Sequence, residues 1–154
     1  SVVSGSVPLH YFDPTIQQHP HDMDICVPIL RKKRMITFLE SISYYAVETG
    51  RPQTIHYCDP SAYHSVTTVC NGNKIINIIT AQGHISSTPV FYCHLTAVMN
   101  LLSADGFFCA YPTLTGGRIS LFNKIPYEKQ RPSAAAARSW SKYMRQGYII
   151  YRSP

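Results

Sequence analysis

Charge is scarce in this sequence. Only 14% of its 154 residues are Asp, Glu, Lys or Arg, against about 25% in ordinary soluble domains, and eight of them are acidic. The acids that orient catalytic bases are correspondingly few. There is no GxSxG nucleophile elbow and no glycine-rich phosphate loop, so two common routes to hydrolysis and nucleotide binding have no sequence support. The five cysteines, Cys26, Cys58, Cys70, Cys93 and Cys109, are odd in number and include no CxxC pair. That argues against a complete disulfide framework and against a cysteine-rich zinc site. They read as reduced, mostly buried thiols, which favours an intracellular setting.

A long clean apolar run is also missing. The least polar stretch, residues 90–114, is interrupted by His94, Asn100 and Asp105 and falls short of the roughly 18 apolar residues of a membrane span. It reads as core. The opening "SVVSGSVPLHYFDP" has neither an initiator Met nor a basic, apolar leader, the expectation for a processed or excised piece.

What the sequence does have is an uneven charge distribution. Formal net charge is +6, and residues 118–154 alone carry eight cations against Glu128, a local +7. Residues 1–51 are neutral and 52–117 carry −1. Clustered cations are the footprint of a polyanionic partner, because binding releases counterions from a phosphate backbone.

Length fits one domain. The first 23 residues, with three prolines and no periodicity, read as an extended arm, followed by a single domain over 24–154. "DICVPIL" suits a buried strand. "RKKRMITFLESISYYAVETG" has helical spacing and Gly50 as its stop. "QTIHYC" and "HSVTTVC" read as strands, "NGNK" as a turn, and "IINIIT" as a strand or short helix. "TPVFYC" is expected as a buried strand entering a helix at 94–104. "FFCAYPTL" and "RISLFNKI" around "TGG" suggest a hairpin. A helix over about 132–146, with Pro132 near its start and Gly147 past its end, leads into a last strand, "YIIYRS". The sum is an α+β fold, a mixed or mostly antiparallel sheet with about three helices.

The last helix carries the basic residues in one row. On a wheel of about 100° per residue, with Arg138 at zero, Lys142 falls at about 40° and Arg145 at about 340°, while Ala136, Trp140 and Met144 lie opposite. Trp140 and Met144 should anchor the helix. Arg138, Lys142 and Arg145 then form a basic ridge, extended by Lys124, Lys129 and Arg131, with Tyr127 and Tyr143 placed to stack on bases. "RKKR" (31–34) is a second cluster, at a helix start where the macrodipole disfavours cations.

Other constellations are weaker. "QHPHDMD" sets His19 and His21 beside Asp22 and Asp24, ingredients of a metal site without a known ligand spacing. His56, Cys58 and His64 lack a fourth zinc ligand. Cys93, at an expected helix N-terminus with His56, His64 or His84 as base, would make a small Cys–His hydrolase or nuclease. The leading expectation is a non-enzymatic nucleic-acid-binding domain, RNA or single strands preferred, working in an assembly and needing no cofactor. A structural or scaffold subunit, its low charge reflecting protein partners or homo-oligomer interfaces, is the alternative.

Overall fold

The computed structural model describes residues 1–17, 19–47, 60–123 and 134–152. Its centre is a seven-stranded mixed sheet built from β1 (Val2–Ser4), β2 (Asp22–Val27), β3 (Tyr45–Ala46), β4 (Tyr63–Asn71), β5 (Lys74–Ala81), β6 (Asn100–Leu102) and β7 (Phe107–Cys109). The order is β3-β4-β5-β2-β1-β6-β7. The β2–β5 pair is parallel and the other pairs are antiparallel. A separate two-stranded parallel sheet joins β8 (Ile119–Leu121) to β9 (Ile149–Tyr151). The α+β class is as the sequence indicates. Among the described residues there are five α-helices, α1 (Ser6–Phe12), α2 (Lys32–Ser41), α3 (Thr88–Phe91), α4 (Pro112–Gly116) and α5 (Ala134–Arg145), of which three have seven residues or more.

Strand alternation explains how the sheet is sandwiched. Met23, Ile25 and Val27 of β2 share one face, where they pack with Ile76, Ile78 and Val69 against Leu39, Met35 and Ile36 of α2. The intervening residues point the other way. There Cys26 and Ile79 join Leu9 of α1, Leu95, Val98, Tyr143 and Tyr148 in a second core cluster. Each aliphatic side chain fully buried in these layers contributes about 1.5–3 kcal/mol. Asp22 and Asp24, in phase with Cys26, therefore fall on the second face, at the end of β2 where the apolar packing stops.

Residues 1–23, expected as an extended arm, contain β1 and α1 instead. β1 lies inside the sheet, paired with both β2 and β6, and the buried Pro8 and Leu9 dock α1. The segment has no periodicity because its two elements are too short to show one. "HSVTTVC", "NGNK" and "IINIIT" form β4, its turn and β5 as the pattern suggests. "QTIHYC" and Gly50 lie outside the described residues. The α2 helix ends well before Gly50, at Ser41. Ser43 takes the left-handed φ of 67°, with Tyr44 N–H donating to Leu39 and Ser43 N–H to Glu40, a Schellman stop without glycine.

The segment 88–104 reverses its expected assignments. "TPVFYC" begins as α3, with Pro89 in its first turn, a position that suits the fixed φ of proline. The expected helix that follows is a 3-10 turn at Thr96–Val98 and then β6. Residues 93–100 are all buried, so no polar face marks a helical period, and pairing with β1 and β7 decides the conformation. The expected hairpin about "TGG" is likewise absent. β7 turns back onto β6, Pro112 starts α4, Gly116 and Gly117 finish it, and β8 pairs with the distant β9.

Candidate functional site

The β1–α1 turn, the start of β2 and the flank of α5 enclose a pocket of about 240 Å³, lined by Gly5, Ser6, Asp22, Asp24, His94, Val98, Arg138, Ser139, Lys142 and Tyr143. Two carboxylates come from the sheet and two cations from the helix. Their formal charges balance, so the pocket suits a ligand with anionic groups on one side and hydrogen-bond donors or a cation on the other.

The sheet wall is fixed by cross-strand register. Ser4, Asp24, Asn77 and Thr68 are successive partners across β1, β2, β5 and β4, a polar row over one face. Asn77 Nδ2 donates to Asp22 Oδ2 at 3.0 Å and to Asp24 Oδ1 at 2.9 Å, and Thr68 Oγ1 donates to Asn77 Oδ1 at 2.7 Å. Asp24 is 6% exposed. Its carboxylate lies against Gly5, whose φ of 75° disfavours any side chain and whose missing Cβ leaves room for that carboxylate.

The helix wall is fixed by Tyr143, 5% exposed in the second core cluster, and by Trp140 packed beside it. Burial, and after it the negative charge of Asp24, raises the Tyr143 phenol far above its ordinary range, so it stays neutral. The Trp140 ring meets Phe122 edge-on at 5.0 Å and carries the Arg152 guanidinium 5.3 Å from its centroid. A Schellman stop at Gly147, φ 91°, closes α5, with Tyr148 N–H donating to Tyr143.

This geometry corrects the expected anchors. Trp140 packs inward, but Met144 is 60% exposed and Tyr143 takes the inward position. Tyr143 is therefore unavailable for base stacking. The helix is rotated so that its buried line passes between the wheel positions of residues 140 and 143. Lys142 consequently sits at the pocket, half-buried, with its Nζ 5.5 Å from the Tyr143 ring centroid. Arg138 lines the same pocket. Arg145 lines a different cleft, with Thr15, Ile16, Gln17, Arg118, Gln146 and Gly147. The three cations are exposed or half-buried, yet two face one cavity and the third another. Lys124, Tyr127, Lys129 and Arg131 lie outside the described residues.

The alternative sites are taken apart by the fold. Cys93 is 4% exposed, and its Sγ donates to Pro89 O at 3.6 Å. It follows the C-terminal end of α3, so the activation expected from a helix N-terminus is absent. His64 and His84 are exposed while Cys93 is in the core, and His56 and Cys58 lie outside the described residues. His19 packs its ring against His10 at 5.0 Å. His21 is exposed, and no group of three or more metal-binding side chains occurs among the described residues. Of the "RKKR" run, Lys32 Nζ donates to Ser65 Oγ at 3.0 Å and the other three are exposed. Asp22 and Asp24 face the opposite side of the sheet from α2.

Sequence reasoning passed over Gly5, Ser6, Asn77 and His94, which is fully buried and also lines the pocket. The available signal was "DMDIC": acids two apart with apolar residues between them share one face of a strand. No helix among the described residues is long and apolar enough to cross a membrane. No protein-family model, curated protein or solved structure matches the chain, so its functional reading rests on the pocket itself.

Proposed function

We propose that this chain binds a ribonucleotide unit of RNA or another single-stranded nucleic acid in the pocket between β2 and α5. Arg138 and Lys142 contact phosphate, and Asp22 and Asp24 accept hydrogen bonds from sugar hydroxyl or base amino groups. The observation that supports this most is that two cations from one helix and two carboxylates from one strand line the same cavity. A nucleotide offers both halves of the complement: phosphate oxygens for the cations and donors for the carboxylates. Arg145, on the same helix but lining another cleft, would meet an adjacent phosphate of a longer strand.

The test is binding of a short single-stranded RNA as a function of salt, with chelator present. Each phosphate neutralised contributes about −0.7 to the slope of log K against log salt. Wild-type protein should show a slope near −2 for the two pocket cations and Arg145 together. An affinity indifferent to salt, or to alanine at Arg138 and Lys142, rejects the reading.

The carboxylate pair favours a second reading. Two acids on one strand, facing cations across a cavity, are suited to a divalent ion shared with nucleotide phosphates, the arrangement used for phosphoryl or nucleotidyl transfer. Titration with Mn²⁺ separates the two. Binding of RNA in chelator supports the first, whereas nucleotide binding that requires Mn²⁺ and is lost in Asp22→Asn supports the second.

A further inference from the structure

The start of α2 is arranged against the helix dipole. Arg31, Lys32, Lys33 and Arg34 stand at its N-terminal end, where the partial charge is already positive, with no acid in the first turn and no side-chain cap. Lys32 turns inward to Ser65, and Met35, Ile36 and Leu39 pack on the sheet, which leaves Arg31, Lys33 and Arg34 outward and exposed. Large apolar side chains share that outer side: Leu30 is 75% exposed and Phe38 57%. An open cleft of about 540 Å³ lined by Leu30, Lys33, Arg34, Thr37, Phe38 and Ser41 makes these groups one surface. Arg31 adjoins it through a second cleft shared with Arg34 and Phe38. Glu40 is the one acid on the helix.

We propose that this outer face of α2 docks on an anionic lipid surface, with Arg31, Lys33 and Arg34 among the headgroups and Leu30 and Phe38 reaching the acyl boundary. Cations that cost the helix stability at its positive end are offset when anions arrive. The apolar groups beside them call for a partner whose anionic groups lie directly over an apolar layer, which is the make-up of a bilayer interface. They protrude between the cations from the convex side of a helix, where a peptide would find no deep groove to occupy. A second copy does not supply the complement either, because the exposed acids among the described residues are Glu40 and Asp105. α5 and its pocket lie over the opposite face of the sheet, so lipid contact through α2 is independent of the nucleic-acid pocket.

The experiment is sedimentation of the full chain with vesicles of phosphatidylcholine alone and of phosphatidylcholine mixed with phosphatidylserine, at low and high salt. The chain should bind the mixed vesicles, more weakly at high salt, and not the neutral ones. Arg31→Ala/Lys33→Ala/Arg34→Ala should lose about a hundredfold in partitioning, at about fivefold per cation. Leu30→Ser/Phe38→Ser should lose about tenfold and keep the salt dependence. Phe38→Trp, in a chain whose one native Trp is Trp140, adds a direct readout. Its emission should shift to the blue on mixed vesicles and be quenched by brominated acyl chains, which adsorption through charge alone does not produce.

No binding to the mixed vesicles, equal binding to neutral ones, or wild-type binding by Leu30→Ser/Phe38→Ser overturns the proposal. An unchanged Phe38→Trp emission on bound vesicles does so too. Binding of single-stranded RNA or polyglutamate that depends on Arg31, Lys33 and Arg34 while the vesicles go unbound also overturns it, and assigns the face to a nucleic acid or an acidic protein.

Discussion

The carboxylate of Asp24 rests against the α-carbon of Gly5, in space that a side chain at position 5 would occupy. The contact ties the β1–α1 turn to β2 at the edge of the pocket. Gly5 also has a φ of 75° with ψ at −139°, a region that essentially only glycine adopts without strain.

Gly5→Ala should therefore destabilise the fold by about 2–4 kcal/mol, from backbone strain and the displaced carboxylate together. Thermal or urea unfolding measures it. Gly83→Ala is the control, because a Cβ there meets nothing within 4 Å. Equal stability for the two variants would show that the Gly5–Asp24 contact is not a constraint.

Arg118 is predicted to be structural, in spite of its place in the basic C-terminal quarter. Its Nε donates to Asp13 Oδ2 at 3.0 Å and its Nη2 to Thr15 Oγ1 at 2.6 Å, tying the end of α1 to the turn before β8. The Thr15 hydroxyl, which also donates to Asp13, is the largest cause that lowers the Asp13 pKa below its ordinary 3.8; burial opposes it, and the Arg118 guanidinium adds to the lowering. A depressed carboxylate pKa stabilises above the unfolded value and ceases to do so as pH falls through the folded one. Stability should thus drop below about pH 4 in the wild type, and that part of the drop should vanish in Asp13→Asn, seen by unfolding at pH 7 and pH 3. Arg118→Ala should cost about 1 kcal/mol at pH 7 and leave the RNA salt slope unchanged.

Cysteine reactivity separates the core thiols from the rest. Cys26 and Cys93 are buried, whereas Cys70 and Cys109 are half-buried. Burial, opposed in part by the Ser4 hydroxyl, pushes the Cys26 thiol up to about 12, so almost none is thiolate at pH 8. Under native conditions Cys26 and Cys93 should resist alkylation by iodoacetamide until the protein unfolds, as mass spectrometry of quenched digests would show. Rapid labelling of Cys93 would reopen the nucleophile reading. Cys93→Ser should leave RNA binding as it is.

These expectations also mark what was legible in the sequence. β4, the turn and β5 could be read because "HSVTTVC", "NGNK" and "IINIIT" combine β-branched residues with a tight-turn signal. α5 could be read because its run of alanines favours helix and Gly147 marks its end. Residues 93–100 could not, since burial on every side erases the contrast between helix and strand. β1 could not because three residues acquire strand character only from the neighbours they pair with. The candidate site was half legible: Arg138 and Lys142 stood out as cations, but Tyr143 was expected on the flank of the basic ridge and Met144 inside. A regular wheel carries no information about where the core centres on it. Asn77, mid-strand in "IINIIT", gained its meaning only from register with Asp24 and Thr68.

The central claim is that Arg138 and Lys142 meet phosphate within the β2–α5 pocket. Fluorescence anisotropy of a labelled single-stranded RNA, titrated across salt concentrations with wild type and the Arg138→Ala/Lys142→Ala double variant, tests it most directly. The account predicts that the double variant loses at least tenfold in affinity and that its salt slope becomes shallower by about 1.4. Identical affinity and slope for the two proteins, with both folded, would contradict it.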